Sequence, residues 1–178
     1  MPWLRDVMDP RFRTIGEAIQ FFKEMIEGLQ YMHENNVAHR DCARNNMGMD
    51  ANSMYTHIPC DPFATDVYIL GTMIRTSLLD GEQGDMYISR PGVHGFEFLR
   101  PLVNDMITDD PSNRPTMNEV ASRFSSIVGK LRWWKLRSRA VQKDEFLTTP
   151  FRALYHLFWT ASMMLLLKPA IPSPKDLH

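Results

Sequence analysis

The sequence predicts a mainly α fold, on three observations. "DPRFRTIGEAIQFFKEMIEGLQYMHENN" places Ile15, Ile19, Phe22, Ile26 and Leu29 at helical spacing, which makes one wide apolar face. "TDVYILGTMIRTSLL" is apolar almost all round, the pattern of a buried central helix. Thr14 with Glu17, and Thr116 with Glu119, form T-x-x-E pairs where helices would start. No run of alternating strands offers a β-rich lobe beside them.

The elements follow in order. Asn35 and Asn36 stop the first helix. The loop 37–46 comes next, and "MGMD" reads as a short strand remnant. Residues 50–63 read as irregular, with Pro59 and Pro62. The buried helix follows, and 80–92 reads as a Gly-rich loop. "GFEFLRPLVNDMI" reads as a helix despite Pro101 near its first turns. "DDPSNRPTMNEVASRFSSIVGKL" opens with a turn and continues as a helix capped by Thr116. The tail from Lys130 reads as helical to about Val141, then as a loop, then as the apolar helix 153–167. "KPAIPSPKDLH" is Pro-rich and frayed.

A chain of 178 residues is long enough for one compact domain with its own core. A net charge of -1 gives no global field toward nucleic acid, and no nucleic-acid partner is expected. Cys42 and Cys60 form neither a metal-ligand spacing nor a disulfide framework, as expected of an intracellular, cytoplasmic protein. Residues 1–20 lack a basic region followed by an apolar run, so no secretory signal is expected. "ALYHLFWTASMMLLL", residues 153–167, would span about 22 Å as a helix, less than the ~30 Å hydrocarbon core. A buried or surface-lying helix is the reading taken, with a short membrane anchor as the alternative.

The most informative stretch is "VAHRDCARNN", residues 37–46. Asp41 follows His39 by two residues, and Asn46 follows Asp41 by five. With the preceding helix it reads "GLQYMHENNVAHRDCARNN", which resembles the helix and catalytic loop H-R-D-x-x-x-x-N of eukaryotic-type protein kinases. "DVYILG" resembles the start of the large buried helix of the same lobe. "DPSNRPT" resembles the turn before its late helix. The motifs occur in kinase order and cover roughly residues 1–128, apart from 47–60. The resemblance therefore implies a protein-kinase-like C-terminal lobe, a helical bundle around a catalytic loop. Residues 129–178 form an additional helical tail foreign to the family.

That resemblance assigns roles. Asp41 would orient and deprotonate a protein hydroxyl, and Asn46 would hold Mg²⁺ by its amide oxygen, with ATP as the phosphoryl donor. Asn45 is a rival for that register, but the +5 spacing favours Asn46. His39 would pack the loop onto the core. Arg40 would meet a phosphate or acid on the activation segment. Asp66 would brace the loop backbone from the buried helix, and Arg114 would pair with a Glu at the end of the activation segment. Asp61, in "CDPF", is the only stand-in for the D-F-G acid; a turn acid is its plainer reading.

Other kinase parts are not written in these residues. There is no Gly-rich loop, no strand lysine for the nucleotide and no helix with its Glu partner. "MPWLRDV" would sit near the hinge. Only 19 residues separate Asn46 from Asp66, too few for a usual D-F-G to A-P-E segment. Phosphoryl transfer by this chain alone is therefore expected to be negligible. Arg40 and Arg114 are expected to find other partners or reach water. The alternatives are a non-catalytic module that binds a protein partner, and a small-molecule phosphotransferase of kinase-like fold. Ala43 stands where Ser/Thr kinases carry Lys, so the acceptor hydroxyl stays open. In the tail, "KLRWWKLRSR" holds five basic residues and two Trp. Its reading is a helix packed through Leu131, Trp133, Trp134 and Leu136 with a solvated basic face. Membrane association through 130–167 is the alternative.

Overall fold

The structure is a computed structural model and describes residues 12–40, 61–82 and 90–143, together with Phe158, Ala161 and Ser162. The described part is mainly helical. Its order is α1 (Ile15–Glu34), α2 (Pro62–Ile74), a π-helical turn (Arg75–Leu79), β1 (Gly81–Glu82) and β2 (Arg90–Pro91). After these come a 3₁₀ turn (Glu97–Leu99), α3 (Arg100–Met106), a second 3₁₀ turn (Pro111–Asn113), α4 (Met117–Gly129) and α5 (Trp133–Arg137).

Helix α1 begins where Thr14 Oγ1 accepts the Glu17 N–H at 3.1 Å. Glu17 does not close the expected box onto Thr14. Its carboxylate takes the Arg13 N–H instead, at 2.7 Å. The helix ends as its two asparagines predict. Asn36 takes a left-handed φ of 58°. Its N–H bonds His33 O, and Val37 N–H reaches back to Met32 O at 2.9 Å. These are the paired bonds that satisfy the last carbonyls of a helix. Ile15, Ile19, Phe22, Ile26 and Leu29 are all buried.

Helix α2 starts earlier than its apolar pattern suggests. Pro62, expected in an irregular segment, is its first residue. Proline's fixed φ suits that position, where the missing N–H has no helical partner. Asp61 caps it by accepting the Phe63 N–H at 2.9 Å. After Ile74 the chain widens into the π turn. There Thr76 Oγ1 bonds back to the carbonyls of Thr72 and Met73, and the Asp80 N–H reaches Arg75 O. That turn brings Ser77, Leu78 and Leu79 inward, so the apolar run keeps one buried surface past the end of the α-helix.

The segment read as a loop over 80–92 contains an antiparallel pair, with Gly81 opposite Pro91 and Glu82 opposite Arg90. Gly81 supports it with a φ of 84°, where a side chain would be strained. Pro101 sits in the first turn of α3 and leaves the helix intact. Arg100 bonds both Glu97 and Asp80 and so ties α3 to the strand pair. One core joins these elements. Phe22, Phe96 and Phe124 are its largest fully buried side chains, brought by α1, the residue that precedes the first 3₁₀ turn, and α4.

The tail departs from its predicted form. The helix expected to reach Val141 stops at Arg137. Ser138 Oγ donates to the Lys135 carbonyl, and the chain then runs extended. Ser138 O accepts the Ile15 N–H, Ala140 N–H bonds Arg13 O, and His94 N–H bonds Val141 O. Edge pairing thus satisfies backbone groups that a longer helix would have paired internally. Of the four residues expected to face the lobe, Leu136 is buried and Leu131 is half-buried, whereas Trp133 and Trp134 are exposed. The apolar run 153–167 and the possible strand at 47–50 lie outside the described residues, apart from Phe158, Ala161 and Ser162, which are helical. Among the described residues no helix is long and apolar enough to cross a membrane.

Helix α4 carries both halves of its capping box. Thr116 Oγ1 accepts the Glu119 N–H, and Glu119 Oε2 accepts the Thr116 N–H at 2.7 Å. Thr116→Ala is expected to cost about 1 kcal/mol in urea unfolding. The Thr116 N–H and then its hydroxyl, both donating to Oε2, hold the Glu119 carboxyl below its usual range. Glu97 is held low chiefly by the side-chain bond from Arg100, and Asp110 by the hydroxyl and then the amide of Ser112. A carboxyl lowered in the folded state adds stability that is present above its unfolded value. That stability is lost as pH falls through the folded value. The urea midpoint is therefore expected to be flat near neutrality and to fall below about pH 4. Glu119→Gln should remove part of that fall; an unchanged acid limb would refute the assignment.

Candidate functional site

The described site is built around Asp66. Helix α2 places this carboxylate in the core with no exposure to solvent. Burying such a group is unfavourable unless polar partners meet it. They come from the chain just before the H-R-D aspartate. Oδ2 accepts the His39 N–H at 2.7 Å, and Oδ1 accepts the Arg40 N–H at 2.6 Å. One carboxylate thus holds two consecutive amides. Arg40 takes a φ of 60°, a conformation that side-chain-bearing residues adopt at some cost. The bond from Arg40 N–H is part of what keeps it there.

A third group joins them, one that the sequence pattern did not single out. His33, in the last turn of α1, brings Nε2 to 3.0 Å from Asp66 Oδ2. Its ring stands edge-on to Phe63, with centroids 4.9 Å apart. Helix α1, helix α2 and the loop thus meet at one carboxylate. The signal available was spacing: His33 precedes His39 by six residues, with the Asn35–Asn36 turn between them, so both can return to one point.

The packing role expected of His39 falls instead to His33. Residue His39 is exposed, and its backbone N–H joins the site. Asp41 and Asn46, the candidate base and Mg²⁺ ligand, lie outside the described residues. Asp61 is described: it is exposed, and one of its oxygens is engaged as the helix cap. Among the described residues no cluster of three or more His, Cys, Asp or Glu is placed to hold a metal ion.

Arg114 has a different environment from the Glu expected of it. Nε donates to Thr108 O at 2.7 Å, Nη1 to Ala64 O at 3.2 Å and Nη2 to Asp109 O at 3.0 Å. Its guanidinium lies over the Tyr68 ring, 4.7 Å from the centroid. The planar fork joins α2 to the turn before α4. Arg114→Lys keeps the charge but cannot reach three carbonyls spread in that way. It is expected to lower stability by about 1–2 kcal/mol in urea unfolding; an unchanged midpoint would show that the fork contributes nothing.

Comparison of the chain with protein-family models, with curated proteins and with solved structures finds no match.

Proposed function

We propose that this chain carries a protein-kinase-like C-terminal lobe whose catalytic loop is arranged for phosphoryl transfer to a protein hydroxyl. The observation that carries the reading is the buried Asp66 carboxylate holding the amides of His39 and Arg40. The residue next in line is Asp41, the candidate base. A loop with no positional task has little reason to spend a buried carboxylate and a left-handed arginine on the two residues before it. Asp41 would accept the hydroxyl proton, and the Asn46 amide oxygen would hold Mg²⁺, which neutralises charge on the ATP phosphates.

These residues contain no Gly-rich loop, nucleotide lysine or D-F-G. By itself the chain is expected to hold Mg-ATP weakly and to turn it over negligibly. The test is amide NMR on the full chain titrated with Mg-ATP and with ATP alone. Magnesium-dependent shifts at Asp41 and Asn46, abolished for the former by Asn46→Ala, are expected. Shifts elsewhere only, or none, would overturn the nucleotide reading.

One observation favours a second reading, a non-catalytic module that binds a protein partner. Arg114, expected to pair with an activation-segment acid, spends its donors on carbonyls of its own lobe. A lobe braced in that way holds together without that acid.

A further inference from the structure

Helix α5 touches the core through Leu136 and turns two indoles outward. Trp133 is 57% exposed and Trp134 55%. One exposed apolar side chain is ordinary, but two neighbouring indoles need a reason. Their neighbours in the sequence are cationic. From Ala121 to Lys143 the chain is rich in Lys and Arg and has no Asp or Glu, within a protein of net charge -1. Arg123 is paired with Asp105, and Lys143 with Glu97 and the Leu79 carbonyl. Lys130 and Arg132, just before the indoles, are exposed, and Arg137 lies over the Trp133 ring at 6.0 Å.

We propose that the surface formed by Lys130, Arg132, Trp133 and Trp134 docks on an anionic lipid bilayer. Indoles settle at the headgroup level, where their apolar body and polar N–H are both accommodated. Lysine and arginine beside them gain from the negative surface potential. Single-stranded nucleic acid would also meet cations and aromatic rings. The apolar segment that comes after α5 in the chain favours the membrane. Residues 153–167 are largely apolar and contain no Asp, Glu, Lys or Arg, a composition that favours lipid over a nucleic-acid backbone. Phe158, within that run, is 72% exposed. The docking surface is independent of the catalytic-loop reading.

The test is flotation of the full chain with phosphatidylcholine vesicles, with and without phosphatidylserine, together with tryptophan fluorescence. Binding to the phosphatidylserine vesicles is expected, with a blue shift and with weakening by salt. Lys130→Ala and Arg132→Ala should each weaken it roughly fivefold. Trp133→Ser with Trp134→Ser should lower it at least tenfold and leave the far-ultraviolet circular dichroism unchanged, because both rings lie outside the core. Failure to float, equal binding to vesicles lacking phosphatidylserine, or binding indifferent to all four substitutions would overturn the proposal. So would tighter binding to a single-stranded oligonucleotide than to the vesicles.

Discussion

Asp66→Ala is expected to lower the unfolding free energy by about 3 kcal/mol and to strip hydrogen-exchange protection from the His39 and Arg40 amides. The carboxylate is fully buried and holds both amides, with His33 Nε2 beside it. Alanine leaves those donors without their acceptor and opens a polar void between α1 and α2. A lost partner for a buried group costs about 1–3 kcal/mol. The two amides belong to exposed residues that water can reach, so the total falls at the lower end of their sum.

Asp66→Asn separates charge and acceptor number from volume. An amide oxygen can take one of the two N–H groups, but the amide nitrogen then faces the other, donor against donor. The asparagine variant should therefore lose nearly as much stability as the alanine variant, although it fills the same space. A loss below about 1 kcal/mol in Asp66→Ala, with both amides still protected, would sink the bracing role. Loss of protection at His39 and Arg40 alone would show a loop released from an otherwise intact helical core. That pattern is expected at low urea, where α1 and α2 are still folded.

The helices were legible because their signals are local. The five apolar positions of α1 recur on one face, Asn36 supplies the left-handed stop, and Thr116 with Glu119 completes a cap. The features that the pattern misplaces depend on partners distant in sequence. Nothing near Ser138 announces that Ile15 and Arg13 will take up its neighbouring backbone groups, so the tail reads as a longer helix than it is. The Gly81–Pro91 pairing is likewise invisible to a helical or alternating pattern two residues long. The exposed indoles escaped for a related reason. A five-residue helix rests on the core through one side chain, and a helical wheel cannot say which. At the site, Asp66 and the loop before Asp41 could be named from sequence, whereas His33 was marked only by its spacing from His39. Its contribution depends on the fold returning His39 and Arg40 past the end of α1 to the carboxylate it already touches.

The second large effect is expected where α2 and α3 approach closely at a glycine. At Gly71, in the last turn of α2, an added Cβ would stand 2.8 Å from Met106 Cβ and 2.9 Å from Ile107 Cγ2. Alanine in place of a helical glycine ordinarily gains about 1 kcal/mol from reduced backbone freedom. Here that gain opposes an overlap with an atom fixed to the α3 backbone, which no rotamer change can relieve. Overpacking of this kind costs about 1–3 kcal/mol. The clash outweighs the propensity, and Gly71→Ala should destabilise by about 1 kcal/mol. Gly71→Val, with two further carbons and poorer helix propensity, should cost about 3 kcal/mol or more. Ile107→Ala removes only one of the contacts, so it should restore part of the loss and no more, a coupling that a double-mutant cycle reads directly. Asp66 lies on the same helix, five residues before Gly71. A wedge that moves α2 away from α3 should therefore also reduce protection at the His39 and Arg40 amides, with the Asp66 carboxylate chemically untouched. Stabilisation by Gly71→Ala would mean that the helices separate at little cost. The position of Asp66 would then be set by its own bonds to the loop and not by the packing behind it.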